Sequence, residues 1–309
     1  MLIQLFFNFS FLINFEMRIY RKIYRRLSKL FLVKIFFPTK NFYYEVFHND
    51  YTILTASVSP FFHNWGDDVS IKLCELINPD NKYIIRKYSW NVFKHEDVLC
   101  IGSIITWMTT PKSVIWGSGI VYPDRELSAK PKKVLAVRGP LTRDYLLKRG
   151  IDCPKVYGDP ALLFPLYYQP SIKKKYRLGI VPHFRDKRNK IIHRFRHDES
   201  ILIINVQNIH PWHKFIDDIC SCNCIISSSL HGIIIADAYS IPNQWVEFPN
   251  GESKRFAMND YLSSVGRKTD SPLLLNENMS VDDIVNTIIS EDISFDVEQL
   301  LKACPFLKD

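Results

Sequence analysis

Cys224-Ile225-Ile226-Ser227-Ser228-Ser229-Leu230-His231-Gly232-Ile233-Ile234-Ile235-Ala236 reads as an apolar strand, three hydroxyl residues, a histidine, a glycine and then an apolar run that continues as a buried helix. In an α/β fold this layout puts His231 at the carboxyl end of a strand and the amino end of a helix. Unpaired backbone N–H groups and the helix dipole favour an anion at such a place. A lone histidine is more often structural. This one has a helix start, three hydroxyls and a glycine around it, and an imidazole there can donate to an anion or pass a proton near neutral pH.

Outward from that stretch, short apolar runs alternate with amphipathic segments. Strands are expected at 51–58, 83–85, 98–105, 114–116 and 134–137, with helices at 69–77 and 140–148, the latter opened by Pro140 in a favoured first-turn position. Pro165 to Lys175, with a second proline and three lysines, has the composition of a linker. The alternation then restarts with strands at 178–181, 201–206, 224–227 and 245–246. Helices are expected at 211–220, 231–239 and 254–264, and closing helices at 281–289 and 297–304 would pack back across the junction. Short strands with crossovers imply parallel sheets. The expected fold is α/β: two doubly wound Rossmann-like domains, 41–170 and 171–309, facing a cleft with ligands at the carboxyl ends of the strands.

Composition narrows the function classes. An apolar fraction of 47% with 21 Phe and 15 Tyr is ample for buried cores. The net charge of +8 resides in one segment, because Met17 to Lys40 holds eight Lys or Arg and no acid. The remainder sums to zero, so the globular part is not a nucleic-acid binder by charge. The seven cysteines are scattered, and Cys220-Ser221-Cys222-Asn223-Cys224 lacks both the spacing and the second cluster of a zinc site, so no metal is expected. A reduced, cytoplasmic setting is the simplest inference.

Residues 1–15 are an uncharged apolar run, either a lead-in or an extension ahead of a start at Met17, and shorter than a membrane span. On a helical projection of 18–31, Ile19, Ile23, Leu27 and Leu30 share one face with three aromatics, and six Lys or Arg take the other. A basic amphipathic helix of this kind suits an anionic membrane surface, so residues 1–40 are read as a peripheral anchor. A helix packed on the protein's own core is the alternative.

Three further loops follow expected strands. In Asn64-Trp65-Gly66-Asp67-Asp68 the glycine permits a tight turn, and the carboxylates either cap a helix or act on a ligand. Trp116-Gly117-Ser118-Gly119 would let backbone approach a ligand, or form a plain turn. In Val137-Arg138-Gly139-Pro140-Leu141-Thr142, Arg138 sits where a strand hands over to a helix, placed for a bidentate grip on a carboxylate or phosphate.

Taken together, these residues resemble the polysaccharide pyruvyl transferases. Asn64-Trp65-Gly66-Asp67 is similar to that family's early loop, and Val134-Leu135-Ala136-Val137-Arg138-Gly139-Pro140-Leu141-Thr142 to its middle signature. Tyr157-Gly158-Asp159-Pro160-Ala161-Leu162-Leu163 looks like the segment that ends its first domain, and Ser227-Ser228-Ser229-Leu230-His231-Gly232 like its late histidine motif. The resemblance covers about residues 50 to 250 and rests on the order and spacing of all four motifs. It implies a glycosyltransferase-B-like fold and transfer of a pyruvyl group from phosphoenolpyruvate to a sugar, forming a cyclic ketal and releasing phosphate, with no cofactor.

The resemblance associates Arg138, Leu230 and His231 with the donor. Some members carry arginine where this chain has Ser229, and Arg185, after the strand at 178–181, is the candidate replacement cation. His231 is expected as the acid and Asp67 as base or sugar contact, with Asn64, Gly66 and Ser229 lining the site. The acceptor would be a polysaccharide or its lipid-linked precursor at the inner face of the cytoplasmic membrane. Two rivals are a nucleotide-sugar glycosyltransferase, with Glu247 on a ribose, and a catalytically silent scaffold of the same pathway.

Overall fold

The computed structural model describes residues 51–56, 63–86, 95–249, 251, 254–268 and 271–307. In chain order its elements are β1 (Thr52–Thr55), α1 (Trp65–Asp68), α2 (Ser70–Ile77), β2 (Tyr83–Arg86), β3 (Asp97–Leu99), α3 (Ile105–Met108), β4 (Ser113–Trp116), β5 (Lys133–Ala136) and α4 (Pro140–Leu147). A 3-10 helix, Pro160–Leu166, follows. After it come β6 (Tyr176–Val181), α5 (Lys190–Arg194), β7 (Ile201–Ile203), α6 (Lys214–Cys220), β8 (Cys222–Ser227), α7 (Leu230–Ala238), β9 (Asn243–Glu247), α8 (Arg255–Ser264), β10 (Leu273–Leu274), α9 (Val281–Asn286) and α10 (Val297–Lys302). Both sheets lie in one compact unit, Thr52–Asp309. The apolar run at 1–15 and the basic helix expected at 18–31 lie outside the described residues.

Each sheet is parallel throughout, with strand orders β2-β1-β3-β4-β5 and β10-β9-β8-β6-β7. Both orders reverse beside their first strand, between β1 and β3 and between β6 and β8. A parallel sheet opens a crevice at such a reversal, because the flanking crossovers leave on opposite faces. The loops after β1, β3, β6 and β8 therefore border the places where a ligand fits best.

One apolar core serves both sheets. Trp65 of α1 stacks on Phe215 of α6 at 4.7 Å between ring centroids and leans on Phe164 of the 3-10 helix at 5.6 Å. Its Nε1 donates to the carbonyl of Trp212 at 2.6 Å, and its backbone N–H to that of Val206 at 2.7 Å. The helix α7 is buried from Leu230 to Asp237, as expected of a helix apolar on every face. The chain end returns as anticipated: Trp116 Nε1 donates to Leu300 O at 3.0 Å, and the Phe306 ring meets Trp116 and Tyr83 edge-on at 5.8 and 5.7 Å.

Three expectations are corrected. The strand expected at 98–105 stops at Leu99, because Gly102 takes a left-handed φ of 114° that turns the still apolar chain into α3. The start of the expected linker, Pro165 and Leu166, belongs to the 3-10 helix, whose first turn Asp159 caps by accepting the Ala161 N–H at 3.0 Å. The elements α1, α3, α5 and β10 were not foreseen, each being too short to show periodicity, and α1 replaces the tight turn expected at 64–68. Residues 57 and 58 of the first expected strand lie outside the described residues.

The first sheet carries a buried ion pair. Arg86 Nη2 lies 2.6 Å from Asp97 Oδ2 and also donates to Met108 O at 2.6 Å, while hydroxyls of Thr55, Thr110 and Ser113 converge on the same carboxylate. Removing one partner strands the other charge in the core. Asp97→Ala is expected to lower the unfolding free energy by about 3–5 kcal/mol. Adding Arg86→Met should recover most of it, measured by urea denaturation; equal loss in both variants would contradict this account.

Candidate functional site

The His231 imidazole, in the first turn of α7 just after β8, is buried. It lies directly on Gly66 of α1: a Cβ built at residue 66 would stand 1.9 Å from Nδ1 and 2.2 Å from Cε1. Glycine at 66 is what admits the ring. On the ring's other side Nε2 faces Asp159 Oδ2 at 3.8 Å. Both atoms are buried, and neither has a hydrogen-bond partner.

Asp67, beside Gly66, keeps part of its surface on solvent. Asn64 Nδ2 donates to its Oδ2 at 3.0 Å, and Oδ1 lies 3.1 Å from where a Cβ on Gly102 would be. Burial pushes its pKa up to about 6, against the opposing pull of the Lys254 charge and the Asn64 hydrogen bond. Asp159 is pushed further, to about 7, chiefly by burial; the Ala161 N–H and Arg138 resist the shift, and Asp67 and Asp260 add to it. His231 moves the other way, down to about 3, through burial and the positive charges of Arg138 and Lys254. Near neutrality the site therefore holds an uncharged imidazole beside a carboxyl close to half protonation.

Lys254, in the loop after β9, donates to His183 Nε2 at 2.8 Å. Its pKa is lowered to about 8, first by burial, with Asp67 and Asp186 opposing and Arg185 and Arg138 adding to the effect. The hydroxyls of the histidine stretch hold this corner together. Ser228 Oγ donates to Asp186 Oδ2 at 2.6 Å and receives the His183 N–H at 2.9 Å, while Ser227 Oγ bridges the Val181 and Ser229 carbonyls. Ser229 is the residue before α7 and is buried, and Leu230 packs into the core. Arg185 is exposed, its guanidinium 5.4 Å from the Phe184 ring and its charge felt by Lys254 and His183.

Arg138 is placed differently from the expected grip on a ligand anion. It is fully buried, with Nε and Nη2 each 3.1 Å from Asp260 Oδ2, Nη2 donating to Ile120 O at 2.7 Å and Nη1 to the Ser103 hydroxyl. Asp260 of α8 also accepts the Thr142 N–H at 2.8 Å and the Thr142 hydroxyl at 2.6 Å, capping α4 from across the molecule. The two glycines of the 117–119 loop likewise admit neighbours within the chain. A Cβ at Gly117 would strike Pro160, and one at Gly119 the Arg138 guanidinium, at 2.2 and 2.4 Å.

The structure thus brings Asn64, Gly66, Asp67 and His231 together, with Arg185 beside Lys254 and with Ser229 and Leu230 setting the helix start. Asp159, Lys254 and His183 were not singled out by the sequence. Asp159 stood inside a quoted motif without a role, and Lys254 had no local signal at all. Glu247 is held by Arg255, with Nη2 to Oε2 at 3.0 Å. Among the described residues no group of three His, Cys, Asp or Glu side chains could hold a metal, all seven cysteines are buried and free, and no helix is long and apolar enough to cross a membrane.

A family model described as polysaccharide pyruvyl transferase matches residues 19–246. An uncharacterized protein of Acanthamoeba polyphaga mimivirus is 31% identical over 196 residues, covering 60% of this chain and 67% of its own. The succinoglycan biosynthesis protein ExoV of Rhizobium meliloti (strain 1021) is 24% identical over 210 residues, 66% of this chain and 62% of that protein. The chain thus spans roughly two thirds of the length of these curated relatives. A crystal structure of an uncharacterized Klebsiella pneumoniae protein superposes over 72% of this chain and 94% of its own at TM-score 0.41 and 16% identity, too distant to carry an inference.

Asp159 holds its proton to higher pH in the folded protein than in the unfolded chain. The folded state holds a proton that the unfolded chain releases near pH 4, so this contribution is complete below pH 4 and is lost as pH rises through about 7. Asp159→Asn is expected to raise the unfolding free energy more at pH 8 than at pH 4, by about 1.4 kcal/mol for each pH unit by which the folded pKa stands above the unfolded one. Denaturation of both proteins across that range checks this, and a pH-independent difference would contradict it.

Proposed function

The chain belongs to the polysaccharide pyruvyl transferase family, and from that premise we propose that it transfers the pyruvyl group of phosphoenolpyruvate to two hydroxyls of one sugar, forming a cyclic ketal and releasing phosphate. The observation that carries this reading is the placement of His231 against Gly66, with Asp67 beside that glycine and the Lys254 charge acting on Asp67. A proton carrier, a base and a cation in one crevice are what ketal formation from an anionic enol ester requires. The two facing sheets are read as a glycosyltransferase-B-like arrangement. The acceptor is a surface polysaccharide or its lipid-linked precursor, met at the inner face of the cytoplasmic membrane through the basic segment at 18–31.

Lys254, with Arg185 beside it, supplies the charge that holds the donor, and Arg138 contributes its field from within the core while its hydrogen bonds keep the loops after β3, β4 and β5 in register. A bound anion offsets the two positive charges that depress His231, so donor binding raises the imidazole's proton affinity when it is needed. The methylene carbon gains a proton by way of His231, leaving an oxocarbenium-like centre at the adjacent carbon. One sugar hydroxyl adds there, losing its proton to Asp67, whose pKa of about 6 suits a base near neutrality. The carbon–oxygen bond to phosphate then breaks, and the second hydroxyl closes the ketal. Of the two protons the hydroxyls lose, one leaves on phosphate and one restores the acid.

His231→Ala is expected to lower phosphate release from phosphoenolpyruvate in the presence of acceptor by about 10²- to 10⁴-fold. Its circular dichroism should be unchanged. Full activity in that variant would remove His231 from the mechanism.

A further inference from the structure

A neutral imidazole is a poor acid on its own, yet the surroundings of His231 keep it neutral. The geometry that makes it neutral also offers a remedy. Nε2 is sealed from solvent and has no hydrogen bond; it is aimed at Asp159 Oδ2, equally sealed and without a hydrogen bond, 3.8 Å away. The other oxygen, Asp159 Oδ1, is occupied by the Ala161 N–H, so Oδ2 is the one free to carry a proton. Two buried polar atoms facing each other without partners are uncommon in a folded protein, because each forgoes its hydration. A closure of under about 1 Å would let them satisfy each other, with the carboxyl protonated and the imidazole presenting a bare Nε2.

We propose that Asp159 is the proton source for pyruvyl transfer, acting through His231. This rests on the functional reading above. The Asp159 O–H bond breaks as an Nε2–H bond forms; the Nδ1–H bond breaks as a C–H bond forms on the donor's methylene carbon. His231 stays uncharged overall and changes tautomer, and Asp159 is left as a carboxylate. One of the protons lost by the sugar hydroxyls bonds to Nδ1 as the Nε2–H bond breaks and the Asp159 O–H bond re-forms, which restores the starting tautomer and the acid together.

The groups bearing on this pair come from several elements. The paired Arg138 and Asp260 and, from α1, Asp67 act on the charge of Asp159; the Cys100 thiol and the Tyr261 hydroxyl feel that charge; and Lys254 and Arg138 act on His231. The cations oppose a charged His231, and the neighbouring carboxylates oppose a charged Asp159. Both effects favour the neutral pair in which the carboxyl holds the proton. Asp159 is therefore a positioning and proton-supplying residue that reaches the donor only through His231.

Because the acid form is required, kcat of the unsubstituted protein should fall as pH rises above about 7. Asp159→Asn keeps the shape and can still accept the Ala161 N–H, but it has no proton to give. It should lower kcat by about 10²-fold or more, leave KM for phosphoenolpyruvate nearly unchanged, and abolish the alkaline fall. A variant that retains the alkaline fall and the rate would overturn the proposal. A second measurement needs neither the Asp159 variant nor the donor: nitrogen-15 NMR of the unsubstituted protein at pH 6.5, with the His231 signal identified by its loss in His231→Ala. A protonated Nδ1 with a bare Nε2 supports the relay, and a protonated Nε2 overturns it. Absence of donor-dependent phosphate release from the unsubstituted protein, with the expected tautomer present, would instead overturn the functional reading beneath the proposal.

Discussion

The fit of the His231 ring onto Gly66 is the contact on which the site depends. Any side chain at residue 66 would occupy the place of Nδ1, and α1 and the start of α7 would then have to part. Close approach by a residue without a Cβ is a common use of glycine. Here it allows an imidazole from α7, the helix after β8, to pack against the first turn of α1. Burial of that ring follows from the approach, and the depressed pKa follows from the burial.

A second constraint works beside it. Arg138 and Asp260 bind a residue after β5 to a residue of α8, and Asp260 also caps α4 through Thr142. Buried ion pairs contribute little net stability but fix relative placement strongly, because any misplacement strands a charge. The sequence Arg138-Gly139-Pro140-Leu141-Thr142 is thereby explained: the arginine and threonine hold the aspartate, the proline starts the helix, and a Cβ on Gly139 would lie 1.9 Å from the Asp260 carbonyl oxygen. The same pair sets the field in which Asp159, His231 and Lys254 titrate.

Much of this was legible from residue order. The apolar run ending at Ser227 and the helix opening at Leu230 are local patterns, and the rule that parallel sheets bind ligands at their carboxyl ends led to His231 and to the loop of Asp67, while Arg185 came from the family resemblance, as a substitute for the cation missing at Ser229. Pairing across the chain was not legible. Arg138 carried the local marks of an anion grip, and nothing near it in sequence announces a carboxylate 122 residues later. The glycines at 117 and 119 read as room for a ligand, yet the room is filled by Pro160 and Arg138. Asp159 has the local form of a helix cap, which it is; its second oxygen acquires meaning only when α7 brings His231 to face it.

The central claim is that this crevice joins a pyruvyl group to a sugar. Mass spectrometry of a saccharide acceptor incubated with the full chain and phosphoenolpyruvate tests it most directly. The account predicts an acceptor heavier by one pyruvate less one water, formed in step with inorganic phosphate and absent when phosphoenolpyruvate is replaced by nucleotide sugars. An unchanged acceptor with phosphoenolpyruvate, or a glycosylated one with a nucleotide sugar, would contradict it.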